Sequence, residues 1–274
     1  MSLFIASLNS GSNGNCYYIG NETEAVLIDA GISCRETEKR MRQIGLSMKK
    51  VKAVFISHEH TDHIKGITTL SEKYQLPVFI TNLTLRHSGL SISKKLVNHF
   101  LPHKPVQLGK LKITGFPKQH DAGDPHSFVV ACNNIKVGVF TDIGFACEKV
   151  KSYFSNCHAA FLEANYDEVM LEKGRYPYYL KQRISSDVGH LSNAQALALF
   201  LQHRPAHMSH LLLSHLSKDN NSPEVAKSLF DTHAGNTNII VASRYEPTEV
   251  YTITENGKQS IPLTVRQLGL FEEA

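Results

Sequence analysis

Short apolar runs separated by polar turn clusters mark out most of the chain, and they read as strands and helices in alternation. Residues 3–8 alternate weakly and form a first expected strand, with two more at 16–19 and 25–28. Between the first two lies Asn9-Ser10-Gly11-Ser12-Asn13-Gly14-Asn15. Its backbone N–H groups could cradle an anion, but a hairpin loop is the favoured reading. Residues 36–44 carry an amphipathic helical pattern. The run 51–57 is rich in β-branched and aromatic residues and reads as a buried strand, and 64–70 returns to helical spacing. A strand is expected at 77–81 and a short helix at 82–89. Two strands over 106–120 turn near Gly109-Lys110, and strands at 128–131 and 136–141 flank Asn133-Asn134 as a hairpin. A helix follows over 145–154, then a strand at 159–162. Ser192 caps a helix over 194–202, a strand occupies 209–214, and Ser222-Pro223-Glu224 opens another helix. Strands at 239–242 and 249–253 come last. No linker or low-complexity segment interrupts the series.

The 274 residues suit a layered α/β domain, and 42% hydrophobic with 20% charged residues is ordinary for a soluble protein. No apolar run is long enough to span a bilayer, and the first residues lack a charged region and a cleavage site. A cytoplasmic protein is expected, with no membrane partner. Cys16, Cys34, Cys132, Cys147 and Cys157 show no paired zinc-type spacing, which fits reduced thiols. The net charge of +4 leans only weakly toward anionic partners.

One hexapeptide concentrates the chemistry. His58-Glu59-His60-Thr61-Asp62-His63 sits between the buried strand and the helix that follows it. His58 and His60 face the same way if the extended backbone persists, and Asp62 and His63 turn into the helix start. Imidazole with carboxylate, and no cysteine near, suits zinc, manganese or iron. The helical zinc-protease signature is absent because position 62 is Asp, so Glu59 is not that motif's base. Asp29, closing the third strand, is read as bonding nearby backbone and at most supporting a ligand.

The strand-end pattern repeats. Residues 54–58 and 211–215 are both apolar runs ending in Ser-His, and 138–142 ends in Asp. Sites in layered α/β folds assemble at strand ends, so His58, Asp142 and His215 can converge on one edge. His120 adds a further donor. The expected set is His58, His60 and His120 for one divalent ion, Asp62, His63 and His215 for a second, and Asp142 between them. A carboxylate between two cations is the arrangement of a two-metal hydrolase, in which Asp62 can also orient a water.

His-x-His-x-Asp-His followed by an isolated His, a strand-end Asp and a late Ser-His resembles the metallo-β-lactamase superfamily over nearly the whole chain. The resemblance implies a four-layered αββα sandwich of two mixed sheets with helices on the outer faces. Residues 7–15, 120–125 and 189–193 are similar to the YycJ-like (WalJ) branch, described as metal-dependent DNA exonucleases related to ribonuclease Z. It implies a nuclease of 5′ exonuclease-like type, with DNA the favoured substrate and RNA the alternative, acting by attack of a hydroxide bridging the two ions. Gly-His-Leu-Ser at 189–192 resembles the Gly-His-Ser stretch of ribonuclease Z, which makes His190 a catalytic candidate beside Asp62. Its alternative is a turn histidine before a helix cap. Tyr166 departs from the branch, where His is expected. Glu163 is expected to support a ligand histidine. His87, His99, His103, His126, His158, His203, His207, His210 and His233 are read as surface or structural, His126 being the least certain.

Two stretches bear on partners. Residues 173–183 mix cations with tyrosines, so Arg175, Tyr178, Lys181 and Arg183 are candidate DNA contacts; the alternative is a solvated helix whose tyrosines cover the core. The expected domain ends at 265, and the tail 266–274 contains Gln267-Leu268-Gly269-Leu270-Phe271. This resembles the pentapeptide by which bacterial replication and repair proteins bind the sliding DNA clamp, through Gln267, Leu268, Leu270 and Phe271. Those side chains folding back into the chain's own core is the alternative. For the whole protein, the competing functions are a thioester or lactone hydrolase and a non-catalytic metal-binding regulator.

Overall fold

The computed structural model describes residues 2–256. The first half runs β1 (Leu3–Asn9), β2 (Cys16–Gly20), β3 (Ala25–Ile28), α1 (Cys34–Gln43), β4 (Val51–Phe55), α2 (Thr61–Ile64), α3 (Ile67–Tyr74), β5 (Val78–Phe79), α4 (Asn82–Ser88) and β6 (Val97–Asn98). The second half runs β7 (Val106–Leu108), β8 (Leu111–Pro117), β9 (His126–Cys132), β10 (Ile135–Phe140), α5 (Glu148–Phe154), β11 (Ala159–Glu163), α6 (Glu168–Lys173), α7 (Tyr178–Ile184), α8 (Asn193–His203), β12 (His210–Ser214), α9 (Pro223–Asp231) and β13 (Asn238–Val241). A last strand, β14 (Tyr251–Ile253), pairs with β1.

The strands form two seven-stranded sheets, β14-β1-β2-β3-β4-β5-β6 and β7-β8-β9-β10-β11-β12-β13 in spatial order. In each, three antiparallel pairings are followed by three parallel ones. Side chains alternate along each strand, so each sheet serves two cores. Ile5, Tyr17, Ile28 and Phe55 of one sheet meet Phe128, Val139, Phe161 and Leu212 of the other. Ala6, Leu27 and Val54 face outward to Met41 of α1 and Ile67 and Leu70 of α3. Leu162 and Leu213 face Phe154 of α5, Phe200 of α8 and Phe230 of α9. Helix, sheet, sheet, helix is the expected four-layered order, and burial on both faces explains the near-continuous apolar runs of β3 and β12.

Several boundaries differ from the sequence reading. The helix expected over 64–70 is broken at Gly66, which donates to Ala30 O at 2.8 Å and whose missing Cβ would lie 1.9 Å from Ile32 O. Apolar periodicity cannot register such a backbone contact. The second strand of the 106–120 pair stops at Pro117, and the helix expected from 145 starts at Glu148. Strand β6 has two residues, too few to leave a periodic signal. The five cysteines are all free thiols. Among the described residues no helix is long and apolar enough to cross a membrane. Gln267, Leu268, Leu270, Phe271 and the boundary expected at 265 lie outside the described residues.

Candidate metal centre

The site forms where the parallel strands end. β3 and β10 hold the same rank in their sheets, each the last antiparallel and first parallel partner. Just beyond them stand Asp29 and Asp142, both in the left-handed backbone region, with φ of 62° and 55°. His215, after β12, has φ of 55°. Non-glycine residues rarely adopt this conformation. Here it turns three charged or ligating side chains off their strand ends. His60 is the N-cap of α2, so Asp62 and His63 lie in that helix's first turn.

Two triads result. One nitrogen each of His58, His60 and His120 lie within 4.8 Å of one another, as do single donor atoms of Asp62, His63 and His215. His60 Nδ1 is 3.1 Å from His58 Nε2 and 3.3 Å from His120 Nε2. His215 Nε2 is 3.3 Å from Asp62 Oδ2, and His63 Nε2 is 3.5 Å from it. Asp142 stands between the triads, its Oδ2 3.2 Å from His63 Nε2 and its Oδ1 3.4 Å from His215 Nε2 and 3.9 Å from His120 Nε2. These are the residues that the sequence reading set out as ligand candidates.

The other ring nitrogens show which atoms are free to ligate. His120 Nδ1 faces the carbonyl of Gly189 at 3.0 Å and must donate. His63 Nδ1 donates to Asp29 Oδ2 at 2.7 Å, and His215 Nδ1 to Glu163 Oε1 at 3.2 Å. Ser57 Oγ gives its only proton to Asp29 Oδ2 at 2.8 Å, so His58 Nδ1, 2.9 Å away, donates to it. Each neutral ring therefore aims an Nε2 lone pair into the site. The His58 and His120 Nε2 lone pairs converge on His60 Nδ1, where a single proton could serve only one of them. Asp142 Oδ2 is buried without a donor in hydrogen-bonding geometry. A tetrahedral shell with bonds of about 2.0–2.2 Å sets donors about 3.3–3.6 Å apart, close to the spacing found here. The donor set fits two divalent ions.

Electrostatics agree. Burial and the nearby His63 hold His58 neutral, well below the usual histidine range. Burial pushes the His120 pKa down to about 3. At His63 burial acts the same way, but Asp142, Asp29 and Asp62 outweigh it and raise the pKa well above normal. His215 is likewise raised against burial, to about 10, by Asp142, Asp62 and Glu163. Protons on these two rings and cations at the triads are alternative ways to balance four carboxylates, so ion uptake there displaces protons.

The remaining candidates surround this centre. His190 is stacked on His215, ring centroids 5.2 Å apart, and its Nδ1 lies 2.7 Å from Glu163 Oε1. Glu163 thus supports one triad histidine and His190 through the same oxygen. α7 ends beside this loop, since His190 N donates to Ile184 O and Asp121 N to Val188 O. Tyr178 is 76% exposed and covers no core. Arg175 is exposed, Lys181 Nζ donates to Glu172 O, and Arg183 pairs with Asp121 at 2.6 Å. Arg183 is thereby fixed next to His120. Tyr166 packs against Leu171 and Ile184, as a core residue of the α6–α7 segment. His126 is buried and its N donates to Ser57 O, a structural role.

Other supports went unread in the sequence. Asn15 closes the turn taken as a hairpin loop, and its Nδ2 lies 3.1 Å from Asp62 Oδ2 while its N donates to Asp62 O. Asn165 Nδ2 donates to His215 O at 2.8 Å, and buried Lys118 donates to Thr141 O at 2.6 Å. The Asn- and Gly-rich composition of 9–15 was the one available signal. Asp29 does bond backbone, at Ser57 N, and also holds His63.

The model of the β-lactamase superfamily domain matches residues 24–215. The chain is 35% identical to exodeoxyribonuclease YycJ of Bacillus anthracis over 232 residues, 83% of this chain and 87% of that protein. It is 31% identical to exodeoxyribonuclease WalJ of Streptococcus pneumoniae over 224 residues, 80% of this chain and 83% of that one. Among solved structures, the metallo-β-lactamase fold protein YhfI of Bacillus subtilis superposes with a TM-score of 0.71 at 17% identity, covering 90% of this chain and 99% of its own. A domain match over most of the chain, the same fold, and a histidine–aspartate centre at the strand ends lead to one conclusion: the chain belongs to the metallo-β-lactamase superfamily.

Proposed function

We propose that the chain is a metal-dependent phosphodiesterase that hydrolyses DNA from a 5′ end, with two divalent ions, zinc or manganese, at the two triads. The observation that supports this best is the convergence of His58, His60, His120, Asp62, His63 and His215 around Asp142, in a chain similar over most of its length to two exodeoxyribonucleases. Ions held there would lower the pKa of a water and offset the charge of an attacked phosphate. Asp62, with 21% of its side chain exposed, is the carboxylate that can accept a hydrogen bond from that water and aim it. Glu163 holds His190 by Nδ1, leaving Nε2 to pass a proton to the departing oxygen. Arg175, Tyr178, Lys181 and Arg183 belong to the segment whose end meets the His190 loop, and would offer cations and a ring to a nucleic-acid strand, Arg183 only by leaving Asp121.

The test is a substrate panel. The protein, supplied with manganese or zinc, is incubated with a labelled DNA duplex, a generic phosphodiester and a glutathione thioester. Cleavage of DNA and of the generic phosphodiester is expected. Thioester cleavage with intact DNA would overturn the proposal.

A further inference from the structure

A second concavity opens beside the His215 side of the centre. It encloses about 210 Å³, a shallow groove smaller than the ~300–1,000 Å³ of drug-sized ligand pockets. Leu216, Pro223 and Val241 form apolar walls, and Lys218, Arg244 and Tyr245 form the rim. Ser10 links it to the centre: it lines the groove while its Oγ accepts from His215 N at 2.8 Å. Leu216 follows His215 directly. A group held in this groove is therefore joined to the Asp62–His63–His215 triad by one short stretch of chain.

Two arginines brace the rim. Arg40, buried beneath it, donates to Leu8 O, Asn9 Oδ1 and Tyr245 O. Arg244 lies over Gly11, where an added Cβ would meet its Nη2 at 2.8 Å, and it donates to Leu216 O at 2.7 Å. Gly11 has φ of 144°, a further reason for glycine there. Among the described residues neither Lys218 nor Arg244 has a carboxylate within ion-pair distance. The neighbouring Asp219 is engaged by Tyr176 Oη at 2.9 Å. Tyr245 keeps its ring 72% exposed at the mouth. Two cations outside any ion pair among the described residues, an apolar wall and an exposed aromatic ring match the parts of a nucleotide: phosphate, sugar and base.

We infer that this groove binds the terminal nucleotide of the DNA substrate, its base on Tyr245 and a phosphate on Lys218 and Arg244. The inference rests on the proposed DNA hydrolysis and deepens it: the grip on a chain end is what separates an end-directed nuclease from one that cuts internally.

Two readouts test it on the metal-loaded protein. Equilibrium dialysis with labelled thymidine 5′-monophosphate is expected to show binding that Tyr245→Ala and Lys218→Ala each weaken by about five- to tenfold. Both side chains are exposed, so neither change should lower thermal stability. Ultraviolet cross-linking of DNA carrying 5-iododeoxyuridine at its terminal position should map to the peptide containing Tyr245. If DNA is cleaved but thymidine 5′-monophosphate binding ignores both substitutions, or the cross-link maps to Tyr178 instead, the groove assignment is overturned and the nuclease reading stands. Loss of binding in Lys218→Ala with none in Tyr245→Ala overturns the base site. If the groove binds the nucleotide as expected while DNA and the generic phosphodiester stay intact, only the nuclease reading fails.

Discussion

The carboxylate of Glu163 holds the imidazole of His190 at 2.7 Å, oxygen to Nδ1. The same oxygen reaches His215 Nδ1, and the other accepts from Ile143 N at 2.7 Å. Burial opposes a charged Glu163, yet His190 and His215 draw its pKa down to about 2. One fixed anion therefore sets both a triad histidine and the candidate proton donor. His190→Ala should cut turnover by about 10²–10⁴-fold and leave metal content unchanged by elemental analysis. Loss of an ion would make His190 a ligand.

Asp62→Ala should remove turnover and one of the two ions. His58, His60 and His120 take no donor from Asp62, and the Nδ1 anchors of His58 and His120 are untouched. Elemental analysis that finds both ions retained would contradict this division of the donors.

Asp29→Asn separates charge from shape. Asparagine tolerates the left-handed backbone at this position better than most residues, so the fold should persist. His63 loses its anionic partner, and metal affinity should fall by about 10–100-fold, as for other supports of metal-bound histidines. Competition with a chelator measures this, and an unchanged affinity would count against the ligand role of His63.

Gly31→Ala tests how Asp62 is placed. An ideal Cβ at Gly31 would lie 1.6 Å from Asp62 O, which Asn15 N also binds at 2.7 Å. The start of α2 must shift, so the variant should lose the Asp62–His63–His215 ion before it loses the other. Differential metal loading at rising chelator concentration reads the order.

A pH effect is expected far from the centre. His158 is buried, its Nδ1 accepts from Lys136 N, and burial holds its pKa down to about 4, below the usual histidine value. As pH falls below about 6.5 the unfolded chain takes the proton first, so stability drops until the folded pKa is passed near 4. His158→Asn keeps an acceptor without a titrating group. Its melting temperature should fall less than wild type's between neutral pH and about pH 5, by roughly 2–4 °C for about 1 kcal/mol in a domain of this size. Parallel curves would contradict the assignment.

How much of this was legible depended on sequence distance. The hexapeptide at 58–63 could be read directly because its donors are contiguous and no solvated loop needs them. His120, Asp142 and His215 were readable as polar residues at the ends of apolar strands. The supports were not. Asp29 and Asn15 reach His63 and Asp62 across β2, β3 and β4, so their roles exist only once the sheet is paired. Arg183 looked like a free cation and is half of a pair with Asp121, because α7 folds back onto the His120 loop. The break at Gly66 follows from a contact with Ile32 O, which no periodicity encodes.

The central claim is hydrolysis of DNA from an end at a centre made by two donor triads. Its most direct test is a time course on 5′-labelled duplex DNA with manganese, run beside Asp62→Ala and a chelator control. The account predicts labelled mononucleotide from the first time point, and none in either control. Intact DNA in the metal-loaded protein, or cleavage that persists in Asp62→Ala, would contradict it.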